Sequence, residues 1–208
     1  RRAGYHILVD AAALAPSGGL DLATLDADFV SLSFYKIFGY PTGIGALVAR
    51  RDALSTLIKP WFAGGTVSLV RDPRGGRPVP LMKPKVSAEH WEDGTLNFQE
   101  TLAVRFGIEM MESIHMPHVG SHIEALAGYL ASSLSSLKWP NGSPFALLPR
   151  VPPPSRQGGS VSFLPLLDRG EMLPAGLIER MGADRGIAVR TGCFCNPGSG
   201  YRMLDLHA

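Results

Sequence analysis

The sequence predicts an α/β fold: a mainly parallel sheet with flanking helices, followed by a smaller C-terminal α+β portion. Three observations carry the prediction. Ile7-Leu8-Val9-Asp10 is an apolar run that ends in a carboxylate. Phe29 to Phe34 is a second apolar run, and it leads into a lysine within Ser33-Phe34-Tyr35-Lys36-Ile37-Phe38-Gly39-Tyr40-Pro41-Thr42-Gly43-Ile44-Gly45. A connector of helix length separates the two, and strands that alternate with such connectors form parallel sheets.

Taken in order, Ile7 to Val9 reads as a buried parallel strand, because a strand covered on both faces is apolar without alternation. It delivers Asp10 at its C-terminal end. Residues 6–50 then read as strand, loop or helix, strand, and a further strand at Gly45-Ala46-Leu47-Val48-Ala49. Residues 71–84 hold four prolines and two adjacent glycines, which predicts a loop. Residues 99–115 read as a helix, with Leu102, Phe106, Met110 and Ile114 at four-residue spacing. Ile123, Leu126, Ala127, Leu130, Leu134 and Leu137 fall on one stripe of the next helix and read as core. Pro149 to Gly159, with Pro152-Pro153-Pro154, reads as a linker or crossing loop. A strand at Ser160 to Leu167, a helix around Ala175 to Met181 and a strand at Gly186 to Arg190 complete the smaller portion. The expected boundary puts residues 1–148 in a large domain and 149–208 in a small one.

The 208 residues suffice for a sizeable core. A hydrophobic fraction of 45% and a charged fraction of 18% are those of a soluble globular chain. The formal net charge of +2 and the lack of a basic run argue against nucleic acid. No apolar stretch reaches the roughly 18 residues of a membrane span. The two cysteines, Cys193 and Cys195, stand one residue apart and have no others to pair with. That usage argues for an intracellular, reducing, cytoplasmic setting. The chain begins without methionine and with a strand almost at once, so it reads as a fragment of a longer enzyme.

Lys36 is the most informative residue. A lysine buried at a strand end loses basicity and becomes a nucleophile or Schiff-base amine. The glycines after it let backbone pass close to a flat ligand. A surface lysine in a glycine loop is the plainer reading, as a helix cap is for Asp10. A phosphate-binding loop fits poorly, because its lysine follows the glycines. Together, an acid and a lysine at strand ends suit pyridoxal phosphate, with aspartate on the ring nitrogen and lysine in the Schiff base. In Arg190-Thr191-Gly192-Cys193-Phe194-Cys195-Asn196-Pro197-Gly198 a metal site lacks ligands, even counting His207. Buried structural cysteines are one alternative there. The sharper one is a nucleophilic thiol near Arg190, which would lower a thiol pKa or clamp a carboxylate.

Ser33 to Gly45 resembles the lysine motif of class V aminotransferase-fold enzymes, the cysteine desulfurase group. Arg190 to Gly198 resembles the cysteine motif of the molybdenum cofactor sulfurases within that group. Glu92-Asp93-Gly94-Thr95 with Asn97 is similar to the family's Gly-Thr motif, and Gly64-Gly65-Thr66 resembles a segment near its dimer interface. The sequence departs from many desulfurases at Ala13 and Tyr35, and from the sulfurase branch at Ser199-Gly200-Tyr201.

The resemblance implies a fold-type I pyridoxal phosphate-dependent transferase. It implies that Asp10 pairs with the pyridine nitrogen, Lys36 holds the cofactor and Ser33 binds its phosphate. Thr95 would reach the phosphate of a partner subunit in a homodimer. Cys195 would carry the persulfide and Arg190 would be an active-site arginine. The implied reaction is desulfuration of L-cysteine to L-alanine, with sulfur passed to the molybdenum cofactor or a molybdoenzyme. Another class V enzyme, either a C–S lyase or an aminotransferase, and an inactive fragment are the alternatives. No metal, nucleic acid or membrane is expected.

Overall fold

The computed structural model describes residues 3–18, 20–72, 75–148, 158–192, 197–198 and 201. The chain divides into two compact units, Arg1–Val119 and Gly120–Ala208. The boundary expected near residue 148 concerns the domains of the assembled enzyme and remains a proposal.

The first unit is built on a three-stranded sheet in the order β1 (Leu8–Asp10), β2 (Phe29–Ser33), β3 (Gly45–Ala49). β1 and β2 are parallel, with Leu8 opposite Phe29 and Asp10 opposite Ser31. β2 and β3 are antiparallel, from Phe29 opposite Ala49 to Ser33 opposite Gly45. A mainly parallel sheet was expected; one of the two ladders here is parallel. The reason is connector length. Residues 11–28 are enough for a crossover, whereas Phe34 to Ile44 falls short of the dozen or more residues a parallel return takes.

Phe29, Val30, Ala11 and Ala53 form the buried centre of this sheet and its cover. Ala53 comes from α2 (Arg51–Thr56), which follows β3. Asp28 is buried and ties the sheet's entry together. Its Oδ2 accepts the Ile7 N–H at 2.8 Å, its carbonyl accepts the Arg50 N–H at 2.9 Å, and the Arg50 guanidinium lies 3.9 Å from Oδ1. β1 corrects the expectation of a strand covered on both faces, for Leu8 is 62% exposed. Among the described residues β1 pairs along one edge only, so its apolar run has a neighbour on one side.

β2 runs directly into α1 (Phe34–Phe38), where the sequence reading extended the strand to Phe34 and continued as a loop. Gly39 ends the helix with φ of 85°, a conformation that glycine adopts without steric penalty. Further on, β4 (Val67–Arg71) and β5 (Val79–Met82) pair as an antiparallel hairpin, correcting the loop expected over 71–84. Pro80 sits inside β5, and proline is tolerated there because β5 is an edge strand. The expected helix over 99–115 is α3 (Phe98–Ile114). The Asn97 side chain caps it by accepting the Glu100 N–H at 3.2 Å.

The second unit holds most of α4 (Met116–Ser136), then β6 (Ala146–Leu147), β7 (Leu164–Pro165) and α5 (Ala175–Ala183). α4 buries Ala127, Ala131 and Leu134, while Leu126, Leu130 and Leu137 stay exposed. Of the stripe read as core, Ala127 and Leu134 are therefore buried, and Leu126, Leu130 and Leu137 are not. β6 and β7 pair antiparallel, and Trp139 Nε1 donates to the Leu166 carbonyl at 3.0 Å to brace them. The strand expected over 160–167 shrinks to two residues, with an isolated bridge at Leu166. Gly186 to Arg190 forms no strand. The Ile187 N–H is spent on the Gly182 carbonyl at the end of α5, at 2.8 Å, rather than on a ladder. The proline-rich loop at 149–157 lies outside the described residues.

Candidate functional site

The parallel pair β1 and β2 brings Asp10 and the start of the lysine segment to the same end of the sheet. Carboxyl ends of adjacent parallel strands are where α/β folds build ligand crevices. Immediately after Asp10 the chain turns into the core: Ala11 is fully buried and its N–H bonds the Ser31 carbonyl at 3.0 Å. That anchor fixes the aspartate. Its Oδ1 accepts the Ala12 N–H at 3.0 Å and the Ser31 hydroxyl at 3.2 Å. Its Oδ2 accepts no hydrogen bond from the described residues, so one carboxylate oxygen remains available to an outside donor. Ser31 was not singled out from the sequence. Its only signal was its place two residues before Ser33 on the same strand, which side-chain alternation turns to the same face.

Ser33 ends β2 and occupies the N-cap of α1, but its hydroxyl does not bond the helix N–H groups. It faces Gly45 across the ladder. A Cβ at Gly45 would overlap the Leu32 carbonyl oxygen, so only glycine lets β3 pair this closely. Lys36 follows in α1 and is exposed. The expectation of a buried lysine is corrected: the chain turns into a short helix at Phe34, which carries Lys36 clear of the sheet. Lys36 makes no ion pair or hydrogen bond with another described residue.

α1 is seated by its aromatic residues. Phe34 and Phe38 stack at 6.0 Å with a 20° interplanar angle. The Phe38 ring occupies the space beside the buried Gly107 of α3, where any Cβ would overlap it. The next residues reach the same helix. A hydrogen bond to the Glu100 carboxylate, followed by desolvation and the Glu100 charge, raises the Tyr40 phenol above its ordinary pKa. Glu100 is also the residue whose N–H receives the Asn97 cap. Thr95, two residues before that cap, is exposed on the loop leading into α3.

An open apolar cavity of about 620 Å³ lies beside α1. Leu32, Phe34, Phe38, Ile108, Met111 and His115 line it, and neither Asp10, Lys36 nor Thr95 does.

Arg190 belongs to the second unit and is exposed. Its neighbour Thr191 donates to Glu179 Oε2 at 2.9 Å, which ties this segment to α5. Cys193 and Cys195 lie outside the described residues. Among the described residues no group of three or more His, Cys, Asp or Glu side chains is arranged to hold a metal. No helix among them is long and apolar enough to cross a membrane.

The profile of the family described as aminotransferase class-V matches residues 1–205. The chain is 37% identical over 207 residues to the molybdenum cofactor sulfurase of Bos taurus, covering 97% of this chain and 23% of that protein. It is 36% identical over 207 residues to the molybdenum cofactor sulfurase of Homo sapiens, with the same two coverages of 97% and 23%. The chain therefore spans about a quarter of the length of these curated relatives. The fold is similar to that of the apo cysteine desulfurase from Thermococcus onnurineus NA1. The TM-score is 0.76 at 26% identity, over 98% of this chain and 46% of that one.

Proposed function

The chain belongs to the aminotransferase class-V family, and from that premise we propose that it carries a pyridoxal phosphate-dependent cysteine desulfurase activity. The reaction is L-cysteine to L-alanine, with the sulfur caught as a persulfide on Cys195. One observation carries the reading: an aspartate with a free carboxylate oxygen and a lysine segment share the carboxyl end of one parallel strand pair. The donor set fits the cofactor. Asp10 Oδ2 is open to a ring N–H, the Ser33 hydroxyl is not consumed by its helix, and the Lys36 amine is unpaired among the described residues.

When bound, pyridoxal phosphate supplies an electron sink for the substrate carbon. Asp10 would hold the ring nitrogen in its protonated form, because an ionised carboxylate favours a positively charged partner. Ser31 and the Ala12 N–H keep that carboxylate in place. Lys36 would hold the cofactor, and its amine would serve the substrate carbon as general base and acid. Ser33 contributes a phosphate contact, and Thr95 contributes one to a second copy of the chain. Arg190 clamps the substrate carboxylate or draws the thiol toward thiolate. The Cys195 thiolate attacks the substrate sulfur and forms the S–S bond of the persulfide. The C–S bond breaks, its electron pair stays with carbon, and that carbon takes a proton to become alanine.

We assign the sulfur to the molybdenum cofactor or a molybdoenzyme as acceptor, following the relatives' names. A cytoplasmic homodimer is part of the same reading. The exposed α3 side chains Phe98, Leu102 and Phe106 support association, since a soluble chain rarely leaves such a row open.

The test is product analysis on the full chain supplied with pyridoxal phosphate and L-cysteine. Cys195→Ser is expected to abolish persulfide while leaving the cofactor absorbance intact, and Cys193→Ser to keep at least part of the activity. Undiminished turnover in Cys195→Ser would point instead to a C–S lyase or an aminotransferase. Failure of the wild-type chain to take up the cofactor would mark an inactive PLP-fold protein.

A further inference from the structure

Lys59 is a deeply buried cation with a defined set of partners: its side chain is 1% exposed. Burying an ammonium is costly unless its donors are all used. Here they converge on one short stretch of chain. Nζ pairs with the Asp93 carboxylate, donates to the His90 carbonyl at 3.0 Å and lies 5.6 Å from the centre of the Trp61 ring. Trp61 Nε1 donates to the other Asp93 oxygen at 2.9 Å, so both oxygens of that carboxylate are held. The Lys59 hydrogen bond first, then that of Trp61, lowers the Asp93 pKa below the ordinary carboxylate value.

Backbone and ring contacts extend the clamp on both sides. The Gly94 N–H bonds the Gly64 carbonyl at 2.8 Å. Gly65, with φ of 84°, packs so closely that an added Cβ would sit 3.2 Å from the Gly94 carbonyl oxygen. His90 is buried, and its Nδ1 donates to the Lys83 carbonyl at 2.6 Å. Trp91 Nε1 donates to the Lys85 carbonyl at 2.8 Å. Asp93 and Gly94 are therefore pinned to the distant segment that holds Lys59, Trp61 and Gly64, while the His90 and Trp91 side chains are held nearby by the Lys83 and Lys85 carbonyls. The pinned stretch leads directly into Thr95, which is itself exposed and two residues ahead of the α3 cap.

We infer that Lys59 is a positioning residue: it clamps Asp93 and the His90 carbonyl so that the Gly94–Thr95 turn is presented in one fixed conformation to a phosphate group held by a second copy of the chain. The inference rests on the reading of Thr95 given above. It adds a residue on a different segment, one that touches neither cofactor nor substrate. A preformed turn spends less ordering entropy on binding than a mobile one, so losing the clamp weakens phosphate retention without removing the threonine.

The experiment is a cofactor titration of the full chain, with pyridoxal phosphate as the probe. Wild type is compared with Lys59→Met, Lys59→Arg, Thr95→Ala and the Lys59→Met/Thr95→Ala pair. Amide hydrogen exchange over residues 90–97 is measured on each apoprotein. Lys59→Met keeps an apolar stem in the pocket, and Asp93→Asn probes the same link from its exposed end. The expected result is faster exchange at Gly94 and about tenfold weaker binding in Lys59→Met, with partial recovery in Lys59→Arg. The double variant should bind no more weakly than Thr95→Ala alone, because both changes act through one contact. Normal uptake by wild type and Lys59→Met alike would overturn the inference alone, as would full additivity in the double variant. Absence of uptake by wild type would overturn the underlying reading and the inference with it.

Discussion

Asp10 shows how a single residue's surroundings select its chemistry. Its Oδ1 is occupied by Ala12 and Ser31, and its Oδ2 is open. Asp10→Asn keeps the shape but loses the charge that favours a protonated ring nitrogen. A hydrogen bond to a charged group is worth about 1.5–3 kcal/mol. Turnover of L-cysteine should therefore fall by roughly tenfold to a hundredfold, with the cofactor still bound, as checked by steady-state rates beside an absorbance spectrum. The exposed acids make a prediction of a different kind. The Arg50 guanidinium, then the Ala53 N–H, holds Asp52 at about 2, and Asp93 is also lowered. Each binds a proton less readily in the folded state than in the unfolded one. Their stabilisation is fully present above the ordinary aspartate value, near pH 4, and is lost as pH falls through the lowered ones. Acid denaturation followed by circular dichroism should show a shallower loss of stability between about pH 4 and pH 2 in Asp52→Asn/Asp93→Asn than in wild type. Equal slopes would mean that neither pair contributes.

At the scale of elements, the lysine segment depends on α1 lying against α3, and Gly107 is where that contact is closest. Alanine there gains about 1 kcal/mol of helix propensity but overpacks against the Phe38 ring, which costs typically 1–3 kcal/mol. The second effect is the larger. Gly107→Ala should lower the melting temperature, and Gly107→Ala/Phe38→Leu should restore it. A stabilised single variant would show that Phe38 is not seated on α3. These elements also show what the sequence makes legible. β3 and α3 were readable to within a residue, because β-rich and helical periodicities are local. α1 was not, because five residues carry too little periodic signal and its anchor, Gly107, lies far along the chain. The hairpin of β4 and β5 was hidden by its prolines, which forbid a central strand but not an edge. Gly186 to Arg190 erred the other way: it has a strand's composition but no ladder partner among the described residues.

At the scale of the whole molecule, the site combines what a sequence can and cannot convey. Asp10 and Lys36 were visible as chemistry at the ends of apolar runs, and the resemblance to class V enzymes rested on several separate motifs despite departures such as Ala13 and Tyr35, with the family profile matching residues 1–205. Burial was not visible. Apolar runs predicted covered strands and a covered lysine, yet Leu8 and Lys36 are open to solvent. The Lys59 clamp was missed as well, since its hydrogen-bonding partners His90 and Asp93 lie more than thirty residues away and a single lysine among Leu57, Ile58, Pro60 and Trp61 was its only local signal. The exposed row on α3 carries a further prediction. Light scattering should find the full chain dimeric, and Phe106→Glu should shift it toward monomer; a monomeric wild type that binds cofactor normally would refute a shared site. The central claim is that Lys36 carries the cofactor. Borohydride reduction of the cofactor-loaded chain, followed by peptide mapping, tests it most directly. The account predicts the reduced cofactor on Lys36; a label on Lys59, Lys83, Lys85 or Lys138 instead would contradict it.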